Sequence, residues 1–430
     1  MTLVSRYASG LYKNKRSLRQ RRRGIPTTEG ESVDSDGTLY WDPYDAKFAV
    51  DPWPLFNQIR TQAPLYYNDK HDFYMVSSAA DAERVLTDWD TFTSSRGGIL
   101  ELIKSGIEMP PGTLIFEDPP AHDIHRKLLA PIFSPRRIKE LEPKVREYCA
   151  RCLDPLAGAE EFDLIDVLGR EMPMRVIGML LGIPEEDQEA IRDQADAKLR
   201  TEDGGKIDTS DGALISIEAF SAYLDWRADN PSDDVMTELI NAEFDDENGV
   251  RRTLTRDEIV TYLTVHAGAG NETTGRLIGW IGSTLAKHPE ARAELAADPS
   301  LIPKAIEEIL RLEPPGPFTC RYVTRDVELH GQVVPAGSAL MVCLGAANRD
   351  PAKYPDPDTF DIHRKAALHL TFLIGPHYCL GSALARLEGR VAMKEMLKRW
   401  PTWDVDWDGA KMAVTSSVRG WEKLPLRVGL

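Results

Sequence analysis

The sequence predicts a mainly α-helical fold with a smaller β region, and three stretches support this prediction. Apolar residues recur at spacings of three and four across residues 162–181, which is typical of a helix packed on one side. Residues 255–287 continue a helical pattern for much longer. Residues 327–343 instead contain short apolar runs separated by glycine and proline, which is typical of strands joined by turns.

Composition and charge indicate one acidic globular body. The 430 residues are 42% hydrophobic and 28% charged, as in folded globular chains. The first 28 residues contain eight Lys or Arg and no Asp or Glu, so the remainder holds 44 basic against 68 acidic residues, a net charge of −24. That balance disfavours a nucleic-acid partner. We expect a basic, disordered leader over residues 1–40, unless it is an organelle-type leader, and one domain over residues 41–430.

Cysteine usage and hydropathy suggest a compartment. Five cysteines in 430 residues do not form a disulfide framework, so a reducing environment is the default. No window holds 18 consecutive apolar residues, so no transmembrane anchor is expected. Together these features favour a cytoplasmic location.

The three predicted elements have clear boundary signals. The helical pattern of residues 162–181 stops at Gly182, two residues before Pro184. The long pattern begins with Thr255-x-x-Glu258, a capping box, and ends before Pro289. The strand region separates into residues 327–337 and the apolar run 339–343.

The long helix contains a stretch that does not suit a helix. At about 1.5 Å per residue it would be roughly 50 Å long and mostly buried. Yet Gly268 and Gly270 each cost about 1 kcal/mol of helix propensity, and Glu272 is expensive to bury. Such local conflicts occur at functional or strained sites, although close packing against another helix would also explain the small residues.

Cys379 lies on a loop that leads into a helix. Gly375 and Pro376 break regular structure before it, and a helical pattern starts after Gly381. Backbone N–H groups at a helix N-terminus favour a thiolate, which is a good axial ligand for haem iron. Two alternatives are a small buried hydrophobe and a Cys/His nucleophile pair with His377, for which no orienting partner is evident.

The loop resembles the haem-binding loop of cytochrome P450 enzymes, whose pattern is Phe-Gly-x-Gly-x-His/Arg-x-Cys-x-Gly. The matching positions are Phe372, Gly375, His377, Cys379 and Gly381. Leu373 stands where the family has glycine. Because a leucine does not easily adopt a positive φ, we expect a differently shaped turn there.

Further motifs in the same order strengthen the resemblance, which extends over about residues 40–430. Residues 269–274, Ala-Gly-Asn-Glu-Thr-Thr, resemble the family's oxygen-activating motif. There Glu272 and Thr273 would relay the protons that O2 cleavage consumes, and glycines would leave room for O2 and water. Glu308 and Arg311 form a Glu-x-x-Arg pair, to which the resemblance adds Arg364 in a buried structural network.

The resemblance also implies a set of haem contacts. Haem b would lie between the long helix and the loop, with Cys379 as the iron ligand. Its propionates would be bound by His122, Arg126, Arg321 and His377. The remaining implied contacts are Ala269, Gly270, Thr273, Phe372, Leu373, Gly381 and Ala385. His125 lies on another helix face and is expected to be exposed, whereas His266 either reaches the pocket or packs in the core.

The implied activity is that of a haem-thiolate monooxygenase. It would insert one oxygen atom of O2 into an unactivated C–H bond of a hydrophobic small molecule. A fatty acid, terpenoid or steroid is favoured, because the expected pocket segments, residues 97–116, 265, 269, 314–319 and 414–418, are mostly apolar. Within residues 97–116, the paired glycines at 97–98 and the Pro-Pro-Gly at 110–112 suggest a mobile lid.

Electrons are expected from an external ferredoxin and flavin reductase. Basic residues near the cysteine would attract that acidic partner; they are Arg126, Lys127, Arg136, Arg137, Arg386 and Arg390. Two alternatives are a peroxide-driven variant of the same fold and a non-catalytic haem sensor or carrier. The acid–alcohol pair of Glu272 and Thr273 argues against both, since neither needs this relay.

Overall fold

A computed structural model describes most of the chain. The described residues are 39–45, 50–110, 112–199, 201, 205–206, 217–365, 368–415 and 417–429. The expected basic leader, residues 1–40, lies outside the described residues except for its last two positions.

Helices dominate the described part. They are numbered α1 to α15 in chain order: Trp53–Gln62, Ala79–Thr87, Leu100–Ser105, Ala121–Leu129, Pro135–Glu140, Glu142–Leu153, Glu171–Leu181, Gln188–Leu199, Ile217–Asp229, Val235–Ile240, Arg256–Lys287, Pro289–Ala297, Ile302–Leu312, Leu344–Ala347 and Ser382–Arg399. Short 3₁₀ turns occupy Leu114–Phe116, Asp154–Leu156, Pro299–Leu301 and Gly375–His377, and a π-helical turn occupies Ile165–Gly169.

The strands are shorter, with two to six residues each. They are numbered β1 to β14: Leu65–Asn68, Phe73–Val76, Phe92–Thr93, Glu161–Asp163, Glu243–Asp245, Arg251–Thr253, Phe318–Val323, Val327–Leu329, Gln332–Val334, Ala339–Cys343, Trp403–Val405, Lys411–Met412, Trp421–Lys423 and Pro425–Val428. The mainly α fold with a smaller β region is confirmed.

The largest sheet has five strands in the order β1-β2-β10-β7-β3. Strand β10 is parallel to β2 and antiparallel to β7, with Met341 opposite Met75 and Cys320. Every residue of β10 is buried, as expected of an apolar strand in the middle of a sheet. This sheet fixes the position of β7, which supplies Arg321 to the site described below.

Helix α11 runs through the main hydrophobic core, and its predicted boundaries are confirmed. It has 32 residues and ends at Lys287, directly before His288. The Thr255 hydroxyl accepts from the Glu258 N–H at 3.2 Å, and the Glu258 carboxylate accepts from the Thr255 N–H at 2.7 Å. The capping box therefore satisfies two of the N–H groups that a helix start leaves unpaired.

The helix predicted over residues 162–181 is correct only in its second half. Residues 161–163 form β4, in which Phe162 lies opposite Leu426, and a π-helical turn follows before α7 begins at Glu171. The predicted end is confirmed, since Gly182 has a φ of +79°. The turn packs against α11 so closely that a Cβ on Gly275 would lie 2.5 Å from the Gly169 carbonyl oxygen. The pairing of β4 with β14 and the close contact between the π-helical turn and α11 therefore outweigh the helical periodicity of the sequence.

Among the helices of the described residues, none is both long and apolar enough to span a bilayer.

Candidate functional site

The Cys379 loop is closed by its own backbone. The Cys379 N–H donates to the Phe372 carbonyl at 2.8 Å, and the Tyr378 N–H donates to the Gly375 carbonyl at 3.1 Å. Burial raises the pKa of the Cys379 thiol, whereas the N–H groups of Gly381 and Ser382 act in the opposite direction. The loop thus presents a sulfur with the backbone donors that a thiolate needs.

Charged side chains brace this loop from α13 and α15. Both oxygens of Glu307 accept from Arg386, at 2.7 and 2.9 Å, and one of them also contacts His369 at 3.1 Å. The Arg386 guanidinium lies 4.4 Å from the Phe372 ring centre and donates to the Tyr378 hydroxyl at 3.1 Å. These contacts connect the loop to both helices through the side chains of Phe372 and Tyr378, which lie on the same loop as the cysteine.

The expectation for Leu373 is wrong. Its φ is +57°, so the leucine occupies the left-handed region that a glycine would adopt more easily. Its N–H donates to the Leu370 carbonyl at 2.8 Å, and its side chain packs against the apolar cluster that contains Leu370. The turn keeps a glycine-type conformation because closing the loop requires it, and side-chain packing offsets the strain.

The conflicting stretch of α11 is the place where this buried helix becomes accessible. Ala269 is exposed, and a Cβ on Gly268 would meet nothing within 4 Å. Gly270 differs, since a Cβ there would lie 3.1 Å from the Ile177 side chain of α7. The first two residues border open space, and Gly270 allows two helices to approach.

The acid and the alcohol of this stretch have different partners. The Thr273 hydroxyl donates to the Ala269 carbonyl at 2.8 Å. The buried carboxylate of Glu272 accepts two hydrogen bonds from Arg276 one turn later, one of them at 3.0 Å. The Arg276 guanidinium also donates to the Trp421 carbonyl, so the pair is anchored to β13.

Four residues from three parts of the chain converge beside the loop. The His122 and His377 rings lie 4.7 Å apart, and the Nε2 atom of each is buried with no hydrogen-bond partner among the described residues. Burial lowers the pKa of His377 to about 3, and the charges of Arg321, His122 and Arg126 contribute. We call His122, Arg126, Arg321 and His377 the cationic cradle. It brings together the four side chains predicted to bind an anionic group.

This chain is similar to known proteins in both sequence and fold. The family model described as Cytochrome P450 matches residues 215–408. The putative cytochrome P450 123 of Mycobacterium tuberculosis is 35% identical over 398 residues, which are 91% of this chain and 98% of the relative. The erythromycin C-12 hydroxylase of Saccharopolyspora erythraea is 36% identical over 86% of this chain and 93% of its own.

A solved P450 structure also resembles this chain in fold. CYP109E1 from Bacillus megaterium, in complex with testosterone, superposes with a TM-score of 0.79 at 28% identity, covering 89% of this chain and 99% of that one. The chain belongs to the cytochrome P450 family.

The residues present fit the haem b that P450 proteins bind. Two buried imidazole nitrogens without partners, next to two arginines, are what a pair of propionates would satisfy. The half-buried Cys379 and the bare stretch at Ala269 leave a sulfur and open space available. Arg126 donates to the Tyr378 carbonyl at 2.6 Å, and Arg321 donates to the Cys320 carbonyl at 2.7 Å.

The predicted Glu-x-x-Arg network is present as the resemblance implied. Arg311 donates to both oxygens of Glu308 at 2.8 Å, and the Arg364 Nε donates to one of them at 2.9 Å. The two guanidinium groups also bind the Pro355, Pro357 and Thr359 carbonyls. Glu308 is therefore the centre of a buried network that holds the chain leading to the Cys379 loop.

The expectation for His125 is wrong. The residue is 5% exposed, and its Nδ1 atom lies 2.7 Å from the Glu117 carboxylate. The other oxygen of Glu117 accepts from the Gly112 N–H at 2.9 Å, so this carboxylate ties the expected lid to α4. A helical face that looks solvent-exposed in isolation is covered here by Glu117 and by the Phe244 and Tyr262 rings.

The expected substrate segments are only partly open. A cavity that opens to solvent is lined by Phe318 and Val414 from two of them, together with Trp41 and Tyr44. A smaller one shares Tyr44 and Phe318 and reaches Ile99. Leu100 also lines the smaller cavity, whereas Leu102 and Ile103 of the same segment are buried as core residues.

Sequence reasoning did not identify Arg276, Glu307 or Glu117. The first had a signal, since an acid and a base four residues apart on a helix predict an ion pair. Glu307 had no such signal, because its partners His369 and Arg386 lie 62 and 79 positions away. Glu117 had none either, because only the fold brings it to His125, which lies 8 positions away.

Proposed function

We propose that this P450 protein hydroxylates an unactivated C–H bond of a hydrophobic small molecule, using O2 and electrons from an external ferredoxin and flavin reductase. One observation supports this above all others. The acid–alcohol pair Glu272–Thr273 lies on the single turn of α11 where Ala269 is exposed within an otherwise mostly buried helix. A haem carrier has no use for a proton-relaying pair at that place.

Haem b, when bound, supplies the iron at which O2 is activated. Cys379 would hold the iron through its sulfur, and the Gly381 and Ser382 N–H groups stabilise negative charge on that sulfur. Arg386 on α15 and Glu307 on α13 hold the loop in place. The cationic cradle would bind the propionates and so fix the orientation of the group.

Protons would reach the reacting centre through residues of α11. The Thr273 hydroxyl holds one proton on the Ala269 carbonyl and can exchange that partner for a water molecule in the open space. Glu272 would replenish the proton from a polar cavity that it lines with Asn271 and Arg276. Arg276 keeps the Glu272 carboxylate at the wall of that cavity, so we assign it a positioning role.

The substrate is proposed to be apolar. The walls of the two neighbouring cavities are rich in aromatic and aliphatic side chains, including Trp41, Tyr44, Phe56 and Phe318. The comparison protein CYP109E1 was solved with testosterone, which is a rigid apolar molecule of this kind. We therefore place a steroid or a similar lipid-like compound first among substrate classes.

The surface proposed for the ferredoxin is smaller than the six basic residues suggested by the sequence. Arg386 is paired with Glu307, and Arg137 with Glu238 at 2.6 Å. Arg136 is exposed but pairs with Glu140 at 3.4 Å, whereas the exposed Lys127 retains the charge that would attract an acidic protein. The charge change Lys127→Glu should slow reduction, whereas Lys423→Glu on β13 should not.

Product analysis in ¹⁸O2 tests the proposed reaction. Haem-loaded protein is supplied with a surrogate ferredoxin, its reductase and NADPH, and screened against steroids that change the iron spin state. One ¹⁸O atom per product molecule is the expected result. Product formed with hydrogen peroxide but not with O2 and reductant would favour the peroxide-driven variant, and spin-state changes without product under either condition would favour a carrier.

A further inference from the structure

The two cavities that we assign to the substrate have one wall in common. Pro43, Tyr44, Phe318 and Ser417 line both cavities, and we call these four residues the shared wall. The described lining residues include no member of the cationic cradle or of the Cys379 loop, so these cavities are distinct from the space expected for the haem. Two members of the shared wall are apolar, whereas Tyr44 and Ser417 each bring a hydroxyl group to it.

The smaller cavity adjoins the cationic cradle. Thr319 lines this cavity, and its hydroxyl accepts from the Arg321 guanidinium at 3.0 Å. Arg321 is one of the residues expected to bind a haem propionate, and the larger cavity opens to solvent. A substrate that enters through the larger cavity and reaches towards the haem therefore passes the shared wall.

The Tyr44 ring is held in one orientation. Its backbone N–H donates to the Asp42 carboxylate at 3.0 Å, and the His71 ring packs against it with 5.0 Å between centres. The Lys206 ammonium lies 5.3 Å from the Tyr44 ring centre. Because these contacts and the 8% exposure of the residue leave the ring little freedom, they fix the direction in which the hydroxyl points.

The protein itself does not use the Tyr44 hydroxyl. Among the described residues it forms no hydrogen bond, whereas the buried Tyr66 hydroxyl accepts from the Trp41 N–H at 3.1 Å. Burial and the charge of Glu101, which also lines the smaller cavity, raise the pKa of Tyr44 well above 10. The hydroxyl therefore keeps its proton and can both donate and accept.

Ser417 supplies a second hydroxyl without a partner. Its Oγ atom is buried and makes no hydrogen bond within the described part of the chain. The surrounding turn is fixed, because the Thr415 hydroxyl accepts from the Val418 N–H at 3.0 Å and donates to the Val418 carbonyl at 2.6 Å. An unsatisfied hydroxyl on such a turn is unfavourable in the empty protein, and a ligand that pairs with it removes that cost.

We infer that Tyr44 and Ser417 determine substrate specificity by forming hydrogen bonds with an alcohol group of the substrate. The inference rests on the proposed function and narrows its substrate class to apolar molecules that carry an alcohol. An alcohol both donates and accepts, which matches two hydroxyls that have neither role filled. Against Pro43 and Phe318, the same alcohol would lose its hydrogen bonds to water and gain none, so its position on the skeleton is selected.

Two steroids that differ by one hydroxyl test this contact. Testosterone is compared with androst-4-en-3-one, which has the same skeleton without the 17-hydroxyl. Isothermal titration calorimetry of the haem-loaded protein gives both dissociation constants without relying on turnover. The variants are Tyr44→Phe and Ser417→Ala, and the control is Tyr67→Phe, whose exposed hydroxyl donates to Asp72 at 2.9 Å.

The wild type and Tyr67→Phe should bind testosterone about fivefold tighter than androst-4-en-3-one. In Tyr44→Phe and in Ser417→Ala this ratio should fall below about twofold, while the affinity for androst-4-en-3-one stays the same or rises. Thermal unfolding of ligand-free Tyr44→Phe should match the wild type, because the lost hydroxyl has no partner in the protein. This result would separate a binding role from a structural one.

Equal affinities of the wild type for the two steroids, or a ratio that survives in both variants, would overturn the inference. Absence of binding heat with both steroids would overturn it as well. Failure of the proposed function gives a different result. The steroid ratio would then depend on Tyr44 and Ser417 as expected, but no ¹⁸O would appear in product.

Discussion

The Nε2 atoms of His122 and His377 lie in the same buried region, with ring centres 4.7 Å apart, and neither has a hydrogen-bond partner among the described residues. Each unsatisfied buried nitrogen costs about 1–3 kcal/mol. A protein tolerates two such costs side by side when a ligand removes them. The cationic cradle is therefore a site that is expensive in the empty protein and satisfied when the haem propionates are bound.

This energetic cost predicts that replacing His377 has opposite effects on the haem-free and the haem-loaded protein. His377→Phe should leave the free energy of unfolding of the haem-free protein unchanged or raise it by about 1 kcal/mol, because a buried unpaired nitrogen is removed. The same change should speed haem loss to a haem-scavenging globin. Thermal unfolding of the haem-free and haem-loaded proteins measures the effect on stability. The control is His125→Phe, which breaks the contact with Glu117 and should destabilise both forms. Equal destabilisation of both forms by His377→Phe would contradict this role.

Glu308 is the residue whose removal should cost most. Glu308→Ala leaves Arg311 and Arg364 buried or partly buried without their shared carboxylate. Breaking a buried pair in this way costs about 3–5 kcal/mol, so little haem-loaded protein should form. Urea unfolding measures the loss. Glu140→Ala breaks only the exposed pair with Arg136, and a comparable loss there would show that burial is not the cause.

Leu373 allows a test of backbone strain at constant size. Leu373→Ile keeps the apolar volume but places a β-branched residue at a φ of +57°, so it should destabilise the protein by about 1–2 kcal/mol. Leu373→Gly gains in backbone conformation what it loses in packing, so it should change stability by less than about 1 kcal/mol. Chemical unfolding of the two variants gives the ranking. The reverse order would show that packing alone matters at this position.

Acid should detach the Cys379 loop through Glu307. Burial alone would raise the pKa of this carboxyl, but hydrogen bonds from His369 and Arg386 lower it from 4.5 to about 2. Its contribution to stability is complete above pH 4.5 and is lost as the pH falls towards 2. The stability difference between the wild type and Glu307→Gln should shrink over that interval, as measured by denaturant unfolding at several pH values. A difference that stays constant down to pH 2 would rule out this linkage.

Thr273 should control how efficiently O2 is used. Thr273→Ala removes the hydroxyl that donates to the Ala269 carbonyl, and reductant should then be consumed without a matching yield of product. The ratio of product formed to NADPH oxidised measures this coupling. Thr264→Val removes a hydroxyl from another face of α11 and should leave the ratio unchanged. An unchanged ratio in Thr273→Ala would exclude the relay.

Local signals predicted some parts of this molecule well. The capping box at Thr255 and the proline after His288 defined α11, and the apolar run at residues 339–343 defined β10. The motifs that resemble the P450 family predicted the four residues of the cationic cradle from positions far apart in the chain. Their spatial convergence could not have been derived from spacing alone.

The errors have a common cause, which is tertiary packing. Phe162 matches a helical period but pairs with Leu426 in a sheet. His125 lies on a helix face that Glu117 covers, and Leu373 adopts a positive φ because the loop must close between Phe372 and Cys379. In each case a contact with residues distant along the chain, or the closure of a loop, outweighs a local preference.

The central claim is that Cys379 binds the haem iron as a thiolate, and one spectrum tests it most directly. The haem-loaded protein is reduced, carbon monoxide is added, and the Soret band is recorded. We predict a band strongly shifted to longer wavelength relative to the carbon monoxide complex of a histidine-ligated haem, and its loss in Cys379→Ala. A folded, haem-loaded wild type whose Soret band matches that of a histidine-ligated haem would contradict the account.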